Sequence, residues 1–291
     1  MPASLEILKQ FINNPPDPVA IALAEDIGTG DVTCECFVAE GHRSQAKIFV
    51  KQATAIAAGV EVGAEVFLLV DESLDVRLVR PSGSPLTSGD TVLEITGSTR
   101  SILTAERTAL NFIQQLSGVA TLTRKFVEAV KPHRARILDT RKTTPGLRSL
   151  EKSAVSSGGG TNHRFGLYDM AMVKENHVAS TSLTRLAANI RAFRERYPEH
   201  RVELEAQSLQ QVRDFLAMDG IDVIMLDNLS VEEMSEAVRL RGTRSVYFEA
   251  SGGVTLDTVN GIAATGVDFI SVGALTHSAP AVDFSLDIWP C

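Results

Sequence analysis

Arg141 and Lys142 in DTRK, Arg148, His163 with Arg164 in NHR, and Lys174 in MVKENH crowd one stretch of the chain, with Arg107 further upstream. Cations brought together without an anion repel one another and are costly to remove from water. The chain carries a formal charge of −8, so these residues are not part of a generally basic surface. They imply a pocket for an anion. An arginine fork matches a carboxylate through two bonds, whereas lysine acts as a point charge on carboxylate or phosphate. The mixture suits a ligand bearing both groups. For any single cation a local acid partner is the simpler explanation. Several of them at the ends of successive apolar runs favour the pocket.

Acids accompany the cations. VELEA holds Glu203 and Glu205, and IMLDN holds Asp227. Side chains alternate along a strand, so Glu203 and Glu205 share a face and either could line an interior. Two carboxylates among phosphates hold Mg²⁺ or a sugar diol, or else neutralise the lysines. Ser251, Gly252 and Gly253 follow one late apolar run, and Val272, Gly273 and Ala274 follow the next. Glycines there let backbone N–H groups approach a phosphate. Gly158, Gly159 and Gly160 precede NHR and read as a loop that places His163 and Arg164.

The elements that must position these residues are legible after Pro132. Six short apolar runs (ARILDT, MAMVKE, VELEA, DVIMLD, SVYFEA and DFISVG) alternate mostly with helical patterns. That is the signature of parallel βαβ units. Polar residues stand at the end of each run. A parallel barrel opens all its strand C-termini onto one face, whereas an open sheet concentrates function at a switch point. The distribution favours a barrel, and six runs predict an incomplete one.

Before that region the texture differs. AKIFVKQ, DVRLVRP and TVLEITG alternate like strands, and EVGAEVFLLV reads as a helix between them, so a small α+β domain is expected. LEILKQFI (5–12) reads as a short helix stopped by Asn13, Asn14, Pro15 and Pro16. From Thr104, taken as an N-cap, apolar residues recur at helical spacing through Leu110, Ile113, Leu116, Val119, Phe126 and Val130, with Gly118 dividing the run. The two glycines of EDIGTGDVT read as a tight turn.

Composition excludes several classes. Hydrophobic residues make up 44% of the 291 and charged residues 22%, a globular balance rather than a disordered one. The acidic excess of 36 Asp+Glu over 28 Lys+Arg argues against a general nucleic-acid binder. The three cysteines, Cys34, Cys36 and Cys291, do not form a disulfide framework or a zinc ligand set. No apolar run reaches the ~18 residues of a membrane span, and the first residues lack a signal-peptide pattern. A cytoplasmic protein is expected.

DTRKTTPGLR (139–148), GGGTNHRFGL (158–167), MVKENH (172–177), VELEAQSL (202–209), IMLDN (224–228), ASGGV (250–254) and DFISVGALTHS (268–278) together resemble the quinolinate phosphoribosyltransferases. EDIGTGDVT (25–33) and LTAERTALNFIQQLSGVAT (103–121) extend the likeness over nearly the whole chain. The resemblance implies an α/β fold: an N-terminal α/β sandwich over 1–115, an incomplete parallel α/β barrel over 116–275, and a tail, 276–291, that returns to the first domain. It implies transfer of phosphoribose from 5-phosphoribosyl-1-diphosphate to quinolinate with loss of CO₂, with Mg²⁺, in a homodimer or larger even assembly. By motif, Arg141, Lys142, Thr143, His163, Arg164 and Lys174 would hold quinolinate, joined by Arg107 lent from the neighbouring subunit. Glu205, chosen over Glu203 by its spacing to LDN, and Asp227 would serve the ribose and Mg²⁺. Lys142, Glu205 and Asp227 would be catalytic. Ser251, Gly252, Gly253, Val272, Gly273 and Ala274 would cradle the 5-phosphate. Ser153 stands where the family usually has an aromatic.

Two rivals remain at this level. A related phosphoribosyltransferase for another acid, such as nicotinate, or a relative attached to molybdenum uptake, would need fewer cations. A non-enzymatic anion binder would not need the acids beside them.

Overall fold

The computed structural model describes residues 15–178 and 181–291, so the helix expected over residues 5–12 lies outside the described residues. The chain divides into two compact units. One comprises Met1–Ala120, Pro145–Ser157 and Pro280–Cys291; the other comprises Thr121–Thr144 and Gly158–Ala279. The sequence reading places 145–157 with the barrel, whereas in the structure this segment belongs to the first unit. A ten-residue amphipathic helix, Arg148–Ser157, covers whichever apolar surface it meets, and its own pattern does not say which.

In the first unit the alternating runs become strands β1 (Arg43–Val50), β2 (Thr54–Ile56), β3 (Asp75–Leu78), β4 (Pro85–Thr87) and β5 (Thr91–Ser98). β1 buries Ser44, Ala46, Ile48 and Val50 and leaves the intervening residues more exposed, the period-two pattern of a half-covered sheet. β1 pairs with β5 on one side and antiparallel with the C-terminal strand Phe284–Pro290 on the other. The sheet thus reads tail–β1–β5–β3, and β2 pairs with β4 separately. The tail therefore returns to this unit. The helix Val60–Val70 buries Val66 and Phe67 completely.

One long helix runs unbroken from Thr99 to Val130. It starts five residues before Thr104, whose hydroxyl instead donates to Asp31 Oδ2 at 3.0 Å. Gly118 does not divide it. A Cβ there would overlap the Pro280 carbonyl, so the glycine admits a close backbone crossing. The GTG segment is a turn, as expected, and delivers Asp31 as a cap: its Oδ1 accepts from the N–H groups of Thr33 and Cys34 at 3.1 and 2.9 Å.

In the second unit the six runs form β6 (Arg136–Leu138), β7 (Ala171–Val173), β8 (Val202–Ala206), β9 (Val223–Asp227), β10 (Tyr247–Ser251) and β11 (Phe269–Ser271). All pairings are parallel, in the order β6-β11-β10-β9-β8-β7. The first strand pairs with the last, as in a ring, and the order never reverses, as a doubly wound sheet would require. β6 and β7 are not paired among the described residues; the free edge of β6 takes only a bridge from Leu138 to Thr161. This is the incomplete barrel. Three of its helices start at serine caps, Ser182, Ser208 and Ser230, the last with a full capping box through Glu233. These caps fix where those three strand-to-helix loops end.

Candidate active site

The C-terminal strand ends converge as a barrel demands. Thr140, Arg141 and Lys142 follow β6, Lys174 follows β7, and Glu205 lies near the end of β8. Asp227 closes β9, Ser251 closes β10, and Val272, Gly273 and Ala274 follow β11. A cavity of about 740 Å³ opens there. It is lined by Arg141, Lys142, His163, Arg164, Lys174, Glu205, Asp227, Ser251, Gly252, Gly253, Val272, Gly273 and Ala274. Thr143 is not among the lining residues. Arg107 is exposed on the long helix of the first unit. Arg148 opens the helix that belongs to that unit and does not line the cavity either.

The electrostatics explain why an anion belongs here. Burial, and then the neighbouring Arg141, press the Arg164 guanidinium below its ordinary pKa, with Glu203 and Asp169 opposing. Two guanidiniums unfavourable to each other become favourable once a carboxylate lies between them. Lys174 is already paired: its Nζ donates to Glu205 Oε2 at 2.6 Å, with Glu205 9% exposed. Lys142 packs its stem beside Gly273, where a Cβ would come within 3.2 Å of Lys142 Cδ, and its carbonyl accepts from Thr276 Oγ1 at 2.8 Å.

The late strand ends are locked together. Asn228 has φ 56°, and its N–H donates to the Ser251 carbonyl at 2.9 Å. Its side-chain amide donates to Asp227 Oδ2 at 3.0 Å. A Cβ on Gly252, which has φ +98°, would overlap the Asn228 amide. Only glycine satisfies both the backbone angle and that approach. The turn after β10 is thereby fixed against Asp227.

Below Glu205, on the same face of β8, Glu203 is fully buried. His163 Nε2 lies 3.3 Å from Glu203 Oε2 and 3.2 Å from Glu249 Oε2. The ligand-type atoms of these three lie within 4.8 Å of one another, a grouping that could hold a metal ion. The Arg164 N–H donates to His163 Nδ1 at 2.7 Å, so in this arrangement the ring proton sits on Nε2, where it faces the carboxylates. Burial disfavours the charged ring, but the facing carboxylates of Glu203 and Glu249 outweigh it and raise His163 to about 10. Burial, and then Glu249, push Glu203 upward as well. With Nδ1 engaged as an acceptor, this proton affinity belongs to the cluster of Nε2 and carboxylates rather than to the ring alone.

Sequence reasoning missed Glu249, His277 and Thr140 as lining residues. The signal for Glu249 was present: a carboxylate inside the apolar run SVYFEA, on the same face as Ser251. Nothing in the sequence marked His277, which reaches the cavity from the four-residue helix Ala274–His277.

Comparison with known proteins now bears on this geometry. The family model described as quinolinate phosphoribosyl transferase, N-terminal domain, matches residues 31–117, and that of the C-terminal domain matches residues 119–287. A probable nicotinate-nucleotide pyrophosphorylase (carboxylating) of Bacillus subtilis is 41% identical over 264 residues, covering 91% of this chain and 90% of its own. The nicotinate-nucleotide pyrophosphorylase (carboxylating) of Mycobacterium leprae is 41% identical over 280 residues, with 94% and 96% covered. The crystal structure of NadC from Streptococcus pyogenes superposes with a TM-score of 0.88 at 38% identity, over 97% of each chain.

Proposed function

The chain belongs to the quinolinate phosphoribosyl transferase family, and from that premise we propose that it converts quinolinate and 5-phosphoribosyl-1-diphosphate to nicotinate mononucleotide, CO₂ and diphosphate. The observation that carries the reading is the convergence of Arg141, Lys142, Arg164 and Lys174 with Glu205 and Asp227 in one cavity. A dicarboxylate relieves the repulsion between the guanidiniums, and the acids stand where a sugar would lie beside it.

The residues then divide the work. Arg141, Arg164, Lys142 and Lys174 orient the two carboxylates so that the ring nitrogen faces C1 of the ribose, with His163 supporting them. Orientation of this kind contributes roughly 7–11 kcal/mol at best. The nitrogen forms the new bond to C1 as the bond to diphosphate breaks. Glu205 and Asp227 hold the ribose hydroxyls and face the cationic sugar. The turns 251–253 and 272–274 receive the 5-phosphate. The positive charge of the quaternised nitrogen then stabilises the electron pair left on C2 as the adjacent carboxylate departs as CO₂, and that pair takes up a proton at C2. Glu205 and Asp227 offer the hard oxygen donors, on adjacent strands, that suit Mg²⁺, which when bound would neutralise charge on the departing diphosphate. A homodimer in which Arg107 enters the neighbouring subunit's site completes the proposal; the exposure of Arg107 leaves it available for that.

The test is a product assay with the phosphoribosyl donor, Mg²⁺ and either quinolinate or nicotinate. Nicotinate mononucleotide with CO₂ release from quinolinate is the expected result. Turnover of nicotinate alone overturns it.

A further inference from the structure

The interior beneath the substrate cavity is polar where a barrel is usually filled with layers of apolar side chains. A second cavity, of about 330 Å³, reaches Val223 and Phe269, the first residues of β9 and β11, and so lies toward the N-terminal ends of the strands. It shares His163, Arg164 and Glu249 with the substrate cavity. These shared residues form the partition between the two.

That partition is anchored from three strands. Glu203 comes from β8 and Glu249 from β10, with β9 between them, and both reach His163 Nε2. The buried Asp139, just after β6, accepts the His163 backbone N–H at 2.8 Å. The Arg164 N–H closes the arrangement on His163 Nδ1. His163 and Arg164 lie in a stretch with no helix or strand of its own, yet the His163 ring and backbone N–H both answer to acids of the barrel. Neither oxygen of Glu203 makes a hydrogen bond within normal geometry, nor does Oε1 of Glu249, although both side chains are at least 98% buried. Buried carboxylates so poorly satisfied are not kept for stability, because apolar residues of similar volume would serve as well or better.

We propose that Glu203 and Glu249 are positioning residues for the acid-binding wall: they hold the His163 ring from below and, through its Nδ1, set the backbone that carries Arg164 into the substrate cavity. The inference rests on the quinolinate reading for its kinetic test, but its structural core does not. Glu249→Met keeps the volume and removes the nearer of the two carboxylates that face His163 Nε2. The quinolinate KM is expected to rise at least tenfold while the KM for the phosphoribosyl donor stays within about twofold. Glu249→Gln, which keeps an acceptor oxygen, is expected to restore most of the difference. A Met variant with both KM values unmoved, or with both raised equally, overturns the proposal. Should the Met variant not fold, nitrogen-15 imidazole spectra of the unsubstituted protein decide it. His163 is expected to show a persistent acceptor-type Nδ1 and a protonated Nε2; a proton on Nδ1 alone, or a freely exchanging ring, overturns the clamp. Absence of product from quinolinate with the unsubstituted protein would instead defeat the function proposed above and leave the spectral test standing.

Discussion

The turn and cap carboxylates of the first unit and the carboxylates on the barrel axis are held in opposite ways. In the first unit, the backbone N–H of Cys34, with Thr104 and Thr33, holds Asp31 below the ordinary carboxylate range. The Ser73 hydroxyl, the Ser101 hydroxyl and the Ser73 N–H do the same for Asp71, and Thr87 does it for Asp90. Glu61 is lowered by Ser82 even against its own burial. Under the substrate cavity, burial raises Glu203, with Glu249 adding to it, and His163 is the partner both carboxylates face. Acids given several donors end helices and close turns. Acids given one shared histidine are placed for what that histidine and its neighbour must do.

Three experiments sharpen or break this contrast. The largest effect is expected at the wall itself. Arg164→Ala should lower kcat/KM for quinolinate by ~10²–10³-fold with an unchanged circular dichroism spectrum, the scale of losing one preorganised charge at a reacting centre. Arg77→Ala, which breaks an exposed pair with Glu94 in the first unit, should leave both activity and melting near those of the unsubstituted protein. Equal effects from the two would erase the distinction.

A pair of glycines gives the next contrast. Gly252→Ala meets both a positive φ and the Asn228 amide at the cavity rim, so the donor KM should rise roughly tenfold through the displaced turn. Gly118→Ala meets the Pro280 backbone instead. It should cost ~1–3 kcal/mol of stability by overpacking, read as a lower Tm, with the donor KM unmoved. A donor KM that rises with Gly118→Ala and not with Gly252→Ala would reverse the assignment.

The smallest effects lie at the ends of the pH scale. Asp31→Ala removes a helix cap worth ~1 kcal/mol. Because Asp31 is lowered from 3.8, its stabilisation is present above that value and is lost as pH falls through the folded pKa, so the Tm gap between Asp31→Ala and the unsubstituted protein should close in acid. The cluster of His163 Nε2 and its two carboxylates holds its proton up to about 10, above the 6.5 of a free ring, so its contribution is whole below 6.5 and is lost as pH climbs through about 10. The Tm gap to Glu249→Gln should therefore close in alkali. Gaps that close at the same end would show that the two settings do not differ in kind.

Particular residues show how far the sequence could be read. The six parallel strands were visible because each is an apolar run bounded by turn residues, and the barrel because polar residues follow every run rather than two of them. The serine caps and the Asp31 turn were local chemistry and equally visible in principle. The start of the long helix at Thr99 was not, because Thr104 satisfies a distant acid instead of its own helix end. Gly118 looked like a break because the strand of backbone that needs it, at Pro280, lies far along the chain.

Spacing alone determined which residues stand at strand ends and therefore which could face a common ligand. Period-two alternation put Glu203 and Glu205 on one face, and motif order carried the family. What alternation cannot express is depth. Moving two residues along a strand, about 6.6 Å, keeps the face and changes the layer. Only the pairing of β8, β9 and β10 decided that Glu205 meets Lys174 at the rim while Glu203 and Glu249 close on His163 beneath it, because contacts between strands depend on register across the barrel and not on order along the chain.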